Sequence, residues 1–203
     1  MSLQVYLAFV AACIALALLP GPVVTLVIAN GLRHGTRAAL TNIAGVQLGL
    51  AIVIGIVAIG LTSLMATMGY WFDRVRFAGA AYLVWLGIQS WRGAGGGEPV
   101  PPSDRIHFGR GFLVAFSNPK TIAFFTAFLP QFVDPSLPAA RQLVVMCGVS
   151  VMLATVTDSG WAILAGLGRA WFMKPSCTKL LGRLSGLTLI GGGIWLSLAR
   201  RPG

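Results

Sequence analysis

The chain alternates long apolar stretches with short polar connections. A run of 18 or more mostly apolar residues is long enough to cross the hydrocarbon core of a bilayer as a helix. Residues 3–32 form one such run, interrupted by Pro20-Gly21-Pro22, and residues 40–64 form a second without charge. Residues 77–91 are a shorter third. Tyr70, Trp71 and Phe72 before them, with Trp85 and Trp91 within, suit an interfacial aromatic belt. The stretch GAGGGEPVPPSDR at 93–105 has the glycine, proline and charge of a flexible linker. Beyond it, residues 109–132 make a fourth run broken at Asn118-Pro119-Lys120. Residues 143–167 make a fifth that holds one acid, Asp158, and residues 184–199 a sixth that ends at Arg200-Arg201.

The pattern predicts an all-α membrane protein with six transmembrane helices in a single transmembrane domain over 1–203. Each half opens with a Pro-interrupted helix, continues with a long one and ends with a short one closed by arginine. The expected division is a first repeat over 1–92, a linker over 93–107 and a second repeat over 108–203. Three spans per half make the halves enter the membrane in opposite directions, the inverted-repeat arrangement of many secondary transporters. Orientation follows from lysine and arginine placement. Arg33, Arg37, Arg92, Arg105, Arg110, Arg169, Lys174, Lys179 and Arg183 follow spans one, three and five. Arg74, Arg76, Arg141, Arg200 and Arg201 lie on the other side. The first set is expected in the cytoplasm, with both chain ends outside.

Composition agrees. Of 203 residues, 56% are hydrophobic and 10% charged, where a soluble domain carries about 25% charged residues. The net charge of +10 comes from 15 Lys and Arg against 5 acids. These basic residues sit between apolar blocks, where they face anionic lipid headgroups and not nucleic acid. Cys13, Cys147 and Cys177 are far apart and form no CxxC pair, so neither disulfides nor zinc are indicated; Cys13 and Cys147 read as small packing residues. Ala15-Leu16-Ala17 resembles a signal-peptide cleavage site. The residues before it hold no Lys or Arg, however, and the apolar run resumes after Pro22, so the segment reads as a retained helix.

Proline inside a helix removes a backbone donor and clashes with the preceding turn. In lipid, the freed polar groups need partners in the protein or in a water-filled cavity. Matched breaks in two halves therefore point to a substrate site, although an ordinary kink explains either one alone. The candidates are Pro20, Gly21, Pro22, Thr25, Gln47, Asn118, Pro119 and Lys120, with Asp158 as a proton carrier. Asp158 and Lys120 are the only acid and the only lysine deep within apolar segments, and charge there costs about 2.5–3.5 kcal/mol on insertion scales. They either pair with each other or meet a substrate ammonium and carboxylate. Asn30, Asn42, Thr155 and Thr157 are further candidates for the cavity wall or for interhelical hydrogen bonds.

Glycines at 31 and 35, 45 and 49, and 182 and 186 have the spacing of close helix packing and make a homodimer plausible. Gly191-Gly192-Gly193 carries no functional reading. No HExxH, P-loop or GxSxG motif and no metal-ligand cluster is present. His34 and His107 lie in polar connections without a second ligand at metal spacing. No cofactor is implied.

Pro20-Gly21-Pro22 with GLRHGTRAALTNIAGVQLG after it, RFAGAAYLVWLGIQSWR at 76–92, and FGRGFLVAFSNPKTIAFFTAFLPQFV at 108–133 resemble the LysE/RhtB family of amino-acid exporters. The matches recur over almost the whole chain, and the block from Asn118-Pro119-Lys120 to Pro130-Gln131-Phe132 is the most specific. The resemblance implies a six-helix inner-membrane exporter of amino acids or derivatives such as homoserine and its lactone, driven by the proton gradient. Asp158 falls where that family often has an acid. Ala39 replaces a usual glycine and Leu50 a frequent acid, leaving Asp158 as the one obvious intramembrane proton carrier. Two other readings remain open. One is an intramembrane enzyme acting on a lipid-linked group with Asp158 as general base; the other is a non-transporting membrane partner protein.

Overall fold

A computed structural model describes residues 3–18, 21–65, 71–92, 107–134, 136–167 and 175–198. Every regular element among them is helical. In chain order they are α1 (Leu3–Leu18), α2 (Pro22–His34), α3 (Thr36–Met65), α4 (Trp71–Arg92), α5 (His107–Phe116), α6 (Pro119–Phe128), a 3-10 turn (Leu129–Phe132), α7 (Ala139–Leu167) and α8 (Pro175–Leu198). Helix is the physical default here, because it satisfies backbone polar groups within the segment where lipid cannot.

Prolines mark where helices begin. Pro22, Pro119 and Pro175 each open one, a position where the missing N–H is not needed. Gly35 ends α2 with φ +83° and donates to the Gly31 carbonyl at 3.1 Å, a left-handed cap that glycine adopts without strain. Helices α1 and α2 meet at 49°, and α5 meets the α6–3-10 segment at 46°. Both bends fall at the proline breaks.

Thr36–Gly60 and Ala139–Ala165 are each long and apolar enough to cross a membrane, and each bent pair adds a crossing if taken as one broken span. Large apolar side chains such as Leu7, Ile59, Val144 and Val156 stand on the outer surface, as lipid allows and water does not. The chain is an all-helical membrane protein.

Two elements are longer than the apolar pattern indicates. Helix α4 starts at Trp71, before residue 77, and α8 starts at Pro175, well before residue 184. Hydropathy registers only the portion suited to lipid, and a helix continues past it wherever its side chains reach the interface. The extensions carry Asp73, Arg74, Arg76, Lys179 and Arg183. Arg183 lies 5.8 Å over the Trp91 ring, and Ser90 donates to the Gly182 carbonyl at 3.1 Å. The linker at 93–105, Arg169, Lys174, Arg200 and Arg201 lie outside the described residues.

Glycines set the closest crossings. Gly45 and Gly49 of α3 face Phe108, Phe112 and Phe116 of α5, with both helices running the same way. Gly87 of α4 faces Gly186 of α8, and Gly193 faces Ala80, so this pair runs antiparallel. Gly31 of α2 lies against Ala162 and Ala165 of α7. The small-residue faces at Gly31, Gly45, Gly49 and Gly186 are thus spent on packing within the chain and do not by themselves argue for a homodimer.

Candidate functional site

The two proline breaks meet. A Cβ placed on Gly21 would lie 3.4 Å from Lys120 Cδ and 3.6 Å from its Nζ. The contact has a backbone cause. In an α-helix the N–H of residue 20 donates to the carbonyl of residue 16, and that of residue 22 to residue 18. Both donors are proline nitrogens and carry no hydrogen. Lys120 Nζ reaches across from α6 and donates to the Leu16 carbonyl at 3.1 Å. Where α1 loses its own donor, the second half of the chain supplies one.

At the other break, the Ala115 carbonyl lacks the donor that Pro119 cannot provide and takes the Asn118 N–H at 3.2 Å. The Asn118 side chain accepts from the Lys120 amide at 3.1 Å, the usual N-cap. Helix α2 has Gly21 at its cap and no side-chain acceptor.

Asp158 is 4% exposed and Lys120 8%. Both line a cavity of about 70 Å³, walled also by Gly21, Val24, Leu50, Asn118 and Thr121. Asp158 Oδ2 accepts from Gln47 Nε2 at 3.0 Å, and Gln47 Oε1 is buried without a partner. Asp158 and Lys120 interact electrostatically, yet each has a polar neighbour of its own. The chamber is therefore polarised. Its wall carries Lys120 and the amino ends of α2 and α6, which bear partial positive charge, together with the carboxyl group of Asp158.

Of the residues singled out from sequence, Gly21, Asn118, Lys120 and Asp158 come together on the wall, and Gln47 stands behind it holding Asp158. Pro22 and Pro119 open the two helices with exposed rings. Thr25 is exposed on α2 and is not on the wall, because successive helix residues are rotated by about 100°, so that Val24 faces the chamber and Thr25 the outside. Pro20 lies outside the described residues. Thr155 and Thr157 donate to carbonyls of their own helix, at 2.7 Å to Val151 and 2.9 Å to Leu153. Asn42 donates to the His107 carbonyl at 2.8 Å, and Asn30 is buried with an unpaired Nδ2.

Sequence reading missed several wall residues. Cys13, read as simple packing, lies on the wall with Ser150 at 3.5 Å. Ser150 gives its hydrogen to the Met146 carbonyl at 2.8 Å, so the thiol is the donor to Ser150. Leu50, one of the two departures noted above, lines the same chamber. His34 and His107, 73 residues apart in sequence, have ring centroids 5.1 Å apart. No group of three His, Cys, Asp or Glu side chains among the described residues is placed to hold a metal ion.

The description "LysE type translocator" matches residues 14–200. The chain belongs to the LysE type translocator family. It is therefore a transporter and not an enzyme, which removes the intramembrane-enzyme reading. This LysE type translocator is 34% identical to a homoserine/homoserine lactone efflux protein of Salmonella typhimurium, over 98% of this chain and 99% of that one. It is 34% identical to an uncharacterized membrane protein of Vibrio cholerae, over 98% and 100%. A leucine efflux protein of Klebsiella pneumoniae is 26% identical over 92% and 91%. No solved structure matches the chain.

Proposed function

We propose that this translocator exports amino acids or close derivatives, in the class of homoserine, threonine, leucine or the basic amino acids, across the inner membrane by proton antiport. The observation that carries the reading is the polarised chamber where two broken helices meet. Lys120 and two helix amino ends suit a substrate carboxylate. Asp158 suits its ammonium. The efflux relatives support the same substrate class.

In the proposed cycle Asp158 holds either the substrate ammonium or a proton. Facing the cytoplasm, it gives up its proton and takes substrate; facing outward, it releases substrate and takes a proton back. One proton enters for each solute that leaves. An ammonium has three donors, so Lys120 is able to keep the Leu16 carbonyl and still turn an N–H to a carboxylate. A chamber of about 70 Å³ is small beside the ~300–1,000 Å³ of ordinary ligand sites, so the cycle requires the walls to part.

The cycle also assigns six crossings to two inverted three-helix repeats over 1–92 and 108–203, with α4 and α8 as the third and sixth. Helix directions support it. In a chain that alternates direction, spans two and four run parallel and spans three and six antiparallel, as α3 with α5 and α4 with α8 do. The test is export from proteoliposomes loaded with a panel of amino acids, under an imposed pH gradient. Wild type is expected to accelerate with the gradient, and Asp158→Asn to lose that acceleration. Undiminished gradient-driven export by Asp158→Asn removes Asp158 from the coupling.

A further inference from the structure

A second chamber lies beside the first. It has a volume of about 290 Å³, sits between α1, α6 and α8, is lined chiefly by Ala12, Phe124, Phe128, Gly192 and Trp195, and opens to the outer surface beside the exposed Ala15, Gly191 and Trp195. Phe124 stacks on Phe128 at 4.6 Å, and Phe128 on Trp195 at 5.6 Å. Thr188 is the one hydroxyl on the wall, and it donates to the Leu184 carbonyl at 3.2 Å. Water gains little in such a space, which is an apolar seat. An apolar cavity of about 150 Å³ takes benzene, so this one has room for a group roughly twice that size.

Leu16 lines both chambers. At 3.6 residues per turn, Cys13 and Ala17 face the polar chamber, while Ala8, Ala12 and Ala15 face the apolar one roughly two-fifths of a turn away. Leu16 falls between them, and its carbonyl is the one that Lys120 holds. On α6 the adjacent residues Phe125 and Phe124 likewise face the polar and the apolar chamber. The apolar chamber is about four times the volume of the polar one and close to the lower size of ordinary ligand sites.

We propose that the apolar chamber is the side-chain subsite of the transported solute. An amino acid or derivative bearing an aliphatic, aromatic or acyl group sets its charged head between Lys120 and Asp158. Its hydrocarbon part passes Leu16 into the space under Phe124, Phe128 and Trp195. The inference rests on the export reading above and adds that apolar solutes use a second compartment that small polar ones leave empty. Leu16 is then a partition whose size sets how much hydrocarbon is admitted.

The test fills the space. A Cβ on Gly192 would meet only Phe128 Cζ, at an ordinary 3.6 Å, so Gly192→Leu adds bulk without a backbone clash. Ala12→Leu fills the chamber from α1 and serves as a second, independent variant. Export from proteoliposomes is measured for the most apolar and the most polar amino acid that wild type carries, leucine and homoserine being the first pair tried. Both fillings are expected to lower leucine export roughly ten-fold or more and to leave homoserine within about two-fold; Leu16→Ala is expected to widen acceptance toward larger side chains. Equal loss of both solutes, or no change in their ratio while co-purifying lipid falls, marks a lipid-chain seat and overturns the proposal. A wild type that exports no amino acid defeats the export reading itself, whereas gradient-driven export with an unmoved ratio defeats this inference alone.

Discussion

Lys120 has two duties that substitution can separate. It donates to the Leu16 carbonyl near the end of α1, and it is the proposed carboxylate contact. Lys120→Met is expected to lower export at least about ten-fold and to destabilise the fold by roughly 1–2 kcal/mol, the scale of a polar contact inside a bundle. Pro20→Ala puts back an N–H at the residue whose amide would donate to the Leu16 carbonyl in an unbroken helix. Combining the two is therefore expected to recover stability and not export. Melting of the four proteins in detergent, set against transport, checks this; recovery of both together would make the lysine purely structural. Lys120 and Asp158 were legible in the sequence because charge deep in an apolar run stands out. Cys13, Ser150 and Leu50 were not, because such residues are ordinary in lipid-spanning helices and acquire a role only from the helix they face.

Among elements, the α3–α5 seam is the tightest. A Cβ on Gly45 would overlap the Phe108 carbonyl oxygen, and one on Gly111 the Asn42 carbonyl oxygen. Gly45→Ala is expected to push the helices apart and cost about 1–3 kcal/mol, read as a fall of several degrees in Tm. Gly55, on the same helix, has nothing within 4 Å of its would-be Cβ. Gly55→Ala is expected to be neutral or to raise stability by up to about 1 kcal/mol, since alanine is the better helix former. Equal effects at the two sites would contradict the packing. The glycine spacing was visible beforehand, and only the contacts identify which glycines touch a neighbour. The breaks were visible because proline removes a donor wherever it stands. The starts of α4 and α8 were not, because a helix need not stop where the lipid does.

At the scale of the whole molecule, the proposed orientation sets the His34–His107 end in the cytoplasm and both chain ends outside. With the three native cysteines replaced, a single cysteine at Arg37 is expected to resist a membrane-impermeant thiol reagent added to intact cells. One at Arg141 is expected to react. The reverse pattern would invert the assignment and the direction of the proposed cycle. Chamber and orientation belong to one question, since an inwardly directed proton gradient drives export only if Asp158 takes its proton at the outer face and gives it up at the cytoplasmic one.

By itself the sequence determined that the chain lives in a membrane, which segments are apolar, where backbone hydrogen bonds must fail and which charges lie deep. Each of these is a local consequence of side-chain polarity or of proline chemistry, and each is read within a few residues. Tertiary structure alone decided that the two breaks touch, that Lys120 mends the helix of the other half, and that Gln47 holds Asp158. It also decided that Leu16 divides a polar chamber from an apolar one. Those facts join residues about 100 positions apart, and in lipid nearly any apolar face packs acceptably against another. The pairing is therefore chosen by glycine contacts and unpaired carbonyls across the whole fold, a choice that no local stretch of chain records.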